Sequence, residues 1–398
     1  MAHCVIAFII AAQAGCAPGP ASMVLARLLV AVLLSTPSAP SWAAGDMPMK
    51  IVVSLLDQTL DVYEGDRFIE RHPVSTGMAG YETPTGVFSI LEKRRFHNSN
   101  IYSGAPMPFM QRLTWSGIAL HAGRLPGYPA SHGCIRLPDN VAAGLFSRTK
   151  QGAHVIVALG RLAPVQIAHD ALPKPAPRAA ASGAQIASLT PIDSSGPDPH
   201  GVEEAYFDAP LRILLTRWSG RDRLRDVQLV LQELGYEPGE PDGYMGPRTG
   251  AAIGAFQVAQ GLPQTRAISD DLIVRLYAAA GKGAPPTGRI YVRQSFKPVF
   301  DAPVSITDPQ LSLGTHLLTA IDVDRDAQTA RWTAMELESG VERGAASAFA
   351  RFSLPDHVKN RIARMLTPGS SIAITDRGLG PDTTPKGTDF IVLTNRSL

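Results

Sequence analysis

The run YPASHGCIRLP, residues 128–138, sets Ser131, His132, Gly133, Cys134 and Arg136 nearly side by side. A thiol, an imidazole, a residue without a Cβ and a guanidinium are the parts of a nucleophilic acyl-transfer site. A cysteine attacks as its thiolate and needs a base or a positive neighbour to form one. His132 lies two residues before Cys134, about 6–7 Å away between Cβ atoms on an extended strand, which is close but poorly aimed. His121 closes the apolar run GIAL further upstream. If its strand pairs beside Cys134, cross-strand Cβ atoms come within about 4.5–5.5 Å. His121 is therefore the expected general base, and His132 a residue that shapes the site.

An extended SHGCIRL alternates its side chains, with His132, Cys134 and Arg136 on one face and Gly133, Ile135 and Leu137 on the other. That gives a polar, reactive face backed by an apolar one. An inert, buried cysteine is the plain alternative, but such a residue would share its face with apolar neighbours. Gly133 lets backbone amides approach a ligand, so the amides of Gly133 and Cys134 are the expected oxyanion donors. Arg136 suits two-pronged binding of a carboxylate; its alternative is a solvated surface arginine. A zinc site on His121, His132 and Cys134 is the competing chemistry. The i, i+2 pair is awkward for tetrahedral coordination, and no carboxylate base is expected near it. A histidine base implies loss of activity below about pH 6.5, unless the pair rests as thiolate and imidazolium.

Residues 49–160 must position these groups, and they read as strands with turns. KIVVSLL and TLDVYEG flank the turn DQ as a hairpin. RFIERHPVSTG follows, then the punctuating TPTG (Thr83 to Gly86), then VFSILEK. GIALHAG reads as a buried strand, NVAAGLFSRT as a short helix and HVIVALG as a final strand. Residues 161–209 are rich in Pro, Ala, Ser and Gly and read as a linker. In 210–281, Leu224, Val227, Leu231 and Leu234 recur at helical steps before Gly235. A second helix follows with Thr249 as an N-cap candidate, and a third begins at Ser269 or Asp270 and stops at Gly281. Residues 287–398 carry strand-like RIYVRQ, SIAITD and DFIVLT and the helical VKNRIARML, with no chemical motif. The fold class expected is multidomain: a β-rich catalytic domain (a sandwich-like mixed sheet with short helices), a small three-helix bundle and a C-terminal α+β region.

The chain has 398 residues, 45% hydrophobic and 18% charged, with a net charge of +2. That balance argues against nucleic acid as a partner, which would require a concentrated basic patch. Residues 1–43 read as a signal peptide, with Met23 an alternative start and small residues at Ser41 and Ala43 before cleavage; an uncleaved anchor is the alternative. Cleavage would remove Cys4 and Cys16 and leave Cys134 as the sole cysteine of an exported chain.

LHAGRLPGYPASHGCIRLP resembles the active-site signature of the L,D-transpeptidase (YkuD-type) catalytic family, and VSTGMAGYETPTG resembles its substrate-side strand and loop. The resemblance spans about residues 49–160. It implies that Cys134 is the nucleophile and His121 its base, with Ser131, His132, Gly133 and Arg136 in supporting positions. The short spacing between His121 and Cys134 makes AGRLPGYPA a compact lid. The implied reaction is attack on the carbonyl at the L-centre of a diamino acid, third in a peptidoglycan tetrapeptide stem. D-Ala leaves, a thioester forms and an amine acceptor takes the acyl group, giving a 3→3 cross-link or a protein attached to the wall. Water as acceptor would make the site a carboxypeptidase or hydrolase, and a decayed site would leave a wall-binding protein. VQLVLQELGYEPGEPDGYMGPRTGAAIGAFQVAQGL resembles the peptidoglycan-binding type 1 domain through Gln228, Leu231, Gly235, Tyr236, Asp242, Gly243, Gly246, Thr249, Phe256, Gln257 and Gly261. The resemblance implies peptidoglycan as partner, no cofactor or metal, and a wall-associated place in the periplasm or envelope, where tethering raises local concentration.

Overall fold

A computed structural model describes residues 47–99, 104–177, 209–340, 344–378 and 389–394. The expected signal segment lies outside the described residues, as do most of the expected linker and Cys4 and Cys16.

The N-terminal half is built as the alternation suggested. β1 (Met49–Ser54) and β2 (Thr59–Glu64) form an antiparallel hairpin, and β3 (Arg67–Pro73) pairs with β2. β4 (Gly86–Ser89), β5 (Glu92–Arg94), β6 (Met110–Arg112), β7 (Ala119–Ala122) and β8 (Ile135–Leu137) precede α1 (Asp139–Arg148) and β9 (His154–Ala158). β9 runs parallel to β1 at the centre of the sheet. Ile51, Val53, Leu60, Val62, Phe88, Val155 and Val157 face a core closed by α1 through Val141, Ala142 and Leu145. A small sheet, β5-β6-β7-β8, adds Leu120, Ile135 and Leu137 to the same core.

The second half departs from the sequence expectation. β10 (Val165–Ile167) lies inside the segment expected to be linker, and β11 (Leu211–Arg217) inside the segment expected to be helical. α2 (Gly220–Glu233), α3 (Pro247–Ala259) and α4 (Asp270–Ala279) then intervene. After them come β12 (Gly288–Gln294), β13 (Lys297–Ile306), β14 (Gly314–Asp324), β15 (Thr329–Ser339), α5 (Ala345–Ala350), β16 (Phe352–Ser353), α6 (Asp356–Met365), β17 (Ser371–Thr375) and β18 (Val392–Leu393). β10 through β17 form one eight-stranded sheet, order β10-β15-β14-β17-β11-β12-β13-β16. The three helices are thus an insertion between β11 and β12, which pair directly with each other. β18 pairs with β4, so the C-terminal segment closes the edge of the N-terminal sheet and HVIVALG is not its last strand.

The two large sheets pack face to face. Val52, Tyr63, Val87 and Ile156 bury against Leu214, Tyr291, Leu317, Met335 and Ala373. With both faces covered, β1 and β9 need apolar residues at nearly every position. The seam also holds charge. Lys50 is 1% exposed and donates to Thr333 Oγ1 (3.0 Å) and Gly65 O (3.1 Å). Buried His154 bonds Ser371 Oγ at 3.0 Å. The helices share their own core of Val227, Leu231, Ile253, Phe256, Ile273 and Leu276. Arg289 of β12 anchors them: it is 4% exposed and its Nη1 donates to both oxygens of Asp226 on α2, at 2.9 and 2.8 Å. Ser269 caps α4 by accepting from Leu272 N–H. α3 is capped by Gly246 with Pro247 in its first turn, so Thr249 is not the cap; it is buried and donates to Pro238 O.

Candidate active site

β7 and β8 are adjacent and parallel, with Leu120 opposite Ile135 and His121 opposite Arg136. Cys134 sits just before β8. His121, Ser131, His132, Cys134 and Arg136 line one cavity of about 670 Å³. Met107, Pro108, Ile118 and Ala122 supply apolar wall. The cavity lining also includes two charged residues that the sequence motif did not single out, Arg124 and Asp139.

The extended reading of SHGCIRL holds only from Ile135 onward. Gly133 has φ +101°, which turns the chain immediately before the cysteine. A Cβ there would lie 2.6 Å from Ile118 Cδ1. His132 is consequently exposed and packs edge-on against Tyr81 with centroids 4.6 Å apart. It shares the cavity with Cys134 through a bend rather than through strand alternation. Beyond the bend the alternation is regular: Ile135 and Leu137 are buried and Arg136 is half-buried.

Short polar residues hold this turn. Ser131 Oγ donates to Cys134 O at 2.5 Å and accepts from Gly133 N–H at 3.1 Å. Thr83, from the TPTG punctuation, donates to Gly133 O at 2.8 Å and accepts from Gly77 N–H at 2.9 Å. The positioning role of Thr83 was missed from sequence, although its Thr-Pro-Thr-Gly context was visible. Arg136 and Ser75 exchange backbone hydrogen bonds at 2.9 and 3.1 Å, so β8 is clamped on both edges.

The thiol packs beside Met107, Met110 and Ala119, and Sγ donates to Gly117 O at 3.5 Å. Burial pushes the Cys134 thiol up, against smaller opposing effects of the Ala119 backbone and the Arg136 and Arg112 charges. His121 is buried, and burial holds its imidazole below the ordinary histidine range. Its Nδ1 lies 2.8 Å from Ala122 O. A carbonyl can only accept, so Nδ1 carries the proton and Nε2 is left with a lone pair. Burial thus works against the charged form of both the thiol and the imidazole.

Residues 48–157 match the L,D-transpeptidase catalytic domain family (YkuD). This segment is thus similar to L,D-transpeptidase catalytic domains. Residues 220–267 match a second family, described as "Putative peptidoglycan binding domain". The chain is 30% identical over 115 residues to the "Putative L,D-transpeptidase YkuD" of Bacillus licheniformis, covering 28% of this chain and 66% of that protein. A solved L,D-transpeptidase (Yku) from Stackebrandtia nassauensis is 30% identical, with 32% of this chain and 62% of that one covered and a TM-score of 0.27. For L,D-transpeptidase 1 from Mycobacterium tuberculosis the values are 26%, 28%, 62% and 0.25. The chain thus spans less than two thirds of the length of each of these relatives.

The cavity and its cysteine turn come wholly from the matched segment. In the peptidoglycan-binding segment the motif residues fold the helices. Gln228 accepts from Gly243 N–H and donates to Thr249 Oγ1. Asp242 Oδ1 accepts from Tyr244 N–H. Gly243 has φ +76°, and a Cβ there would lie 2.5 Å from Arg221 O. Phe256 is core, and Gln257 Oε1 accepts from Arg266 N–H.

Proposed function

We propose that this protein is a cysteine L,D-transpeptidase acting on peptidoglycan stem peptides. The observation that carries the reading is the placement of Cys134 and His121 in one cavity, with the His121 tautomer fixed by Ala122 O. Cys134 swings off Gly117 O and hands its proton to His121 Nε2 as Sγ attacks the carbonyl at the L-centre of the third residue. The Cys134 N–H serves as backbone donor to the oxyanion; the Gly133 N–H, its expected companion, is already taken by Ser131 Oγ. The C–N bond to D-Ala breaks as His121 returns the proton to the departing amine, leaving a thioester. An acceptor amine then attacks, His121 takes its proton, and Sγ leaves and is reprotonated. The product is a 3→3 cross-link when the acceptor is a second stem.

Burial of both groups supports a transfer in which proton movement accompanies attack, because an ion pair formed in advance would stand largely desolvated. The second family match supports wall association, and the helices that carry it are held by the Arg289–Asp226 pair rather than by a loose tether. Among the described residues no helix is long and apolar enough to cross a membrane. Export to the periplasm or envelope is part of the same proposal. The test is incubation of the purified protein with a disaccharide-tetrapeptide and mass spectrometry of the products. Release of D-Ala with a dimer linked between third residues supports the reading. Release of D-Ala without a dimer makes the protein a carboxypeptidase, and no release from a folded protein removes the assignment.

A further inference from the structure

The paired strands and the residues just beyond them carry two pairs of side chains that line the cavity. At the reaction end, His121 and Arg136 stand opposite each other. The ladder continues past β7, where Gly123 N–H donates to Leu137 O at 3.0 Å. Three residues beyond His121 comes Arg124, and three beyond Arg136 comes Asp139, the first residue of α1. Both line the cavity and both are exposed. Among the described residues neither side chain makes an ion pair or hydrogen bond. Opposite charges emerge together from adjacent strands without neutralising each other. Three extended residues place them about 10 Å along the strands from His121 and Arg136, less the reach of the side chains themselves.

We propose that Arg124 and Asp139 read the far end of the diamino acid whose carbonyl is attacked, Arg124 binding a carboxylate and Asp139 an ammonium on the same carbon. The inference rests on the L,D-transpeptidase reading of the cavity. With the acyl carbon at Cys134, the side chain of the third residue runs along the cavity floor, away from the leaving D-Ala. A diamino acid that ends in an amino acid head brings one charge of each sign to this end. One that ends in a simple amine brings only the ammonium and leaves Arg124 facing nothing. Arginine fits the role because its planar fork binds a carboxylate through two parallel hydrogen bonds. Gly123 leaves room for the neighbouring Arg136, whose Cγ and Cδ would lie 3.2 Å from a Cβ at that position. The two guanidiniums can thus serve separate groups, Arg136 near the thiol and Arg124 at the far end.

The test measures kcat/KM for D-Ala release from three tetrapeptides that differ at the third residue. These carry 2,6-diaminopimelate with a free side-chain carboxylate, the same residue with that carboxylate amidated, and lysine. A charge-assisted contact predicts that the wild type prefers the free carboxylate by about tenfold to a hundredfold over both others. Arg124→Gln brings the free and amidated peptides within about twofold of each other, the loss falling in KM. Asp139→Asn weakens all three alike, because each has the terminal amine. A wild type that does not discriminate, or an Arg124→Gln protein that loses the same factor on every peptide, overturns the assignment while leaving the transpeptidase reading intact. No release from any peptide overturns both.

Discussion

Replacing Lys50 by methionine probes the seam between the two large sheets. Lys50 is buried on the face of β1 that meets β15, where among the described residues it bonds Gly65 O and Thr333 Oγ1. Burial lowers its pKa from 10.5 to about 7, with only partial opposition from the Asp66 charge. Between those two values the folded protein binds fewer protons than the unfolded chain, so stability rises with pH. The full difference is about 3.5 units, or roughly 5 kcal/mol at 1.36 kcal/mol per unit. Linkage places about 3 kcal/mol of it between about pH 6 and about pH 9.5. Tyr277 and Tyr291 act against this at higher pH, since burial raises both phenols and the unfolded chain ionises them first. Subtracting the Lys50→Met protein from the wild type cancels those contributions. The assay is urea unfolding of both proteins across that range. The account predicts that the wild type gains about 3 kcal/mol on Lys50→Met as pH rises, and that Lys50→Met is the more stable protein near neutrality. A difference that stays flat within about 0.5 kcal/mol would mean that Lys50 is solvated and that the C-terminal sheet does not cover β1.

Further expectations follow from the same geometry. Gly133→Ala forces a side chain into positive φ and against Ile118; D-Ala release should fall about a hundredfold with modest loss of stability, and near-normal turnover would contradict the turn as described. Deleting residues 389–398 removes buried Phe390, Ile391 and Val392 and the strand that closes β4. It should cost several kcal/mol at about 1.5–3 kcal/mol per large apolar side chain, read as a lower melting temperature; an unchanged melting point would show that the catalytic sheet stands without it. Because burial lowers the His121 pKa, its imidazole stays neutral to lower pH than an ordinary histidine. The acid limb of kcat/KM should therefore lie below about pH 6.5; a limb at or above neutrality would count against His121 as the base.

Local chemistry was legible in the sequence, and long-range pairing was not. The hairpin around Asp57 and Gln58, the helix after Pro138 and the caps at Ser269 and Gly281 depend on neighbours in the chain, so their residues declare them. Cys134 and His121 were placed together because glycines and apolar residues flank each of them within one short stretch. The face of His132 was misread because strand alternation was carried through Gly133, whose φ only the fold fixes. β10 was lost in a Pro- and Ala-rich run because a three-residue edge strand has almost no pattern of its own; its partner Trp332 lies far along the chain. β11 was taken into the helical segment that follows it because nothing local says that LRILLTR pairs with β12 across the inserted helices. Arg124 and Asp139 gave no motif signal, and only the parallel register of β7 and β8 shows that both follow adjacent strands into the cavity lining.

The central claim is covalent chemistry at Cys134. The most direct test is to mix the protein with a disaccharide-tetrapeptide donor in the absence of an acceptor amine, quench in acid and map the acylated peptide by mass spectrometry. The account predicts a tripeptide acyl group on Cys134 that hydroxylamine removes, slower formation in His121→Gln by about 10²–10⁴-fold, and none in Cys134→Ala. D-Ala release by Cys134→Ala, or wild-type turnover with the acyl group on another residue, would contradict it.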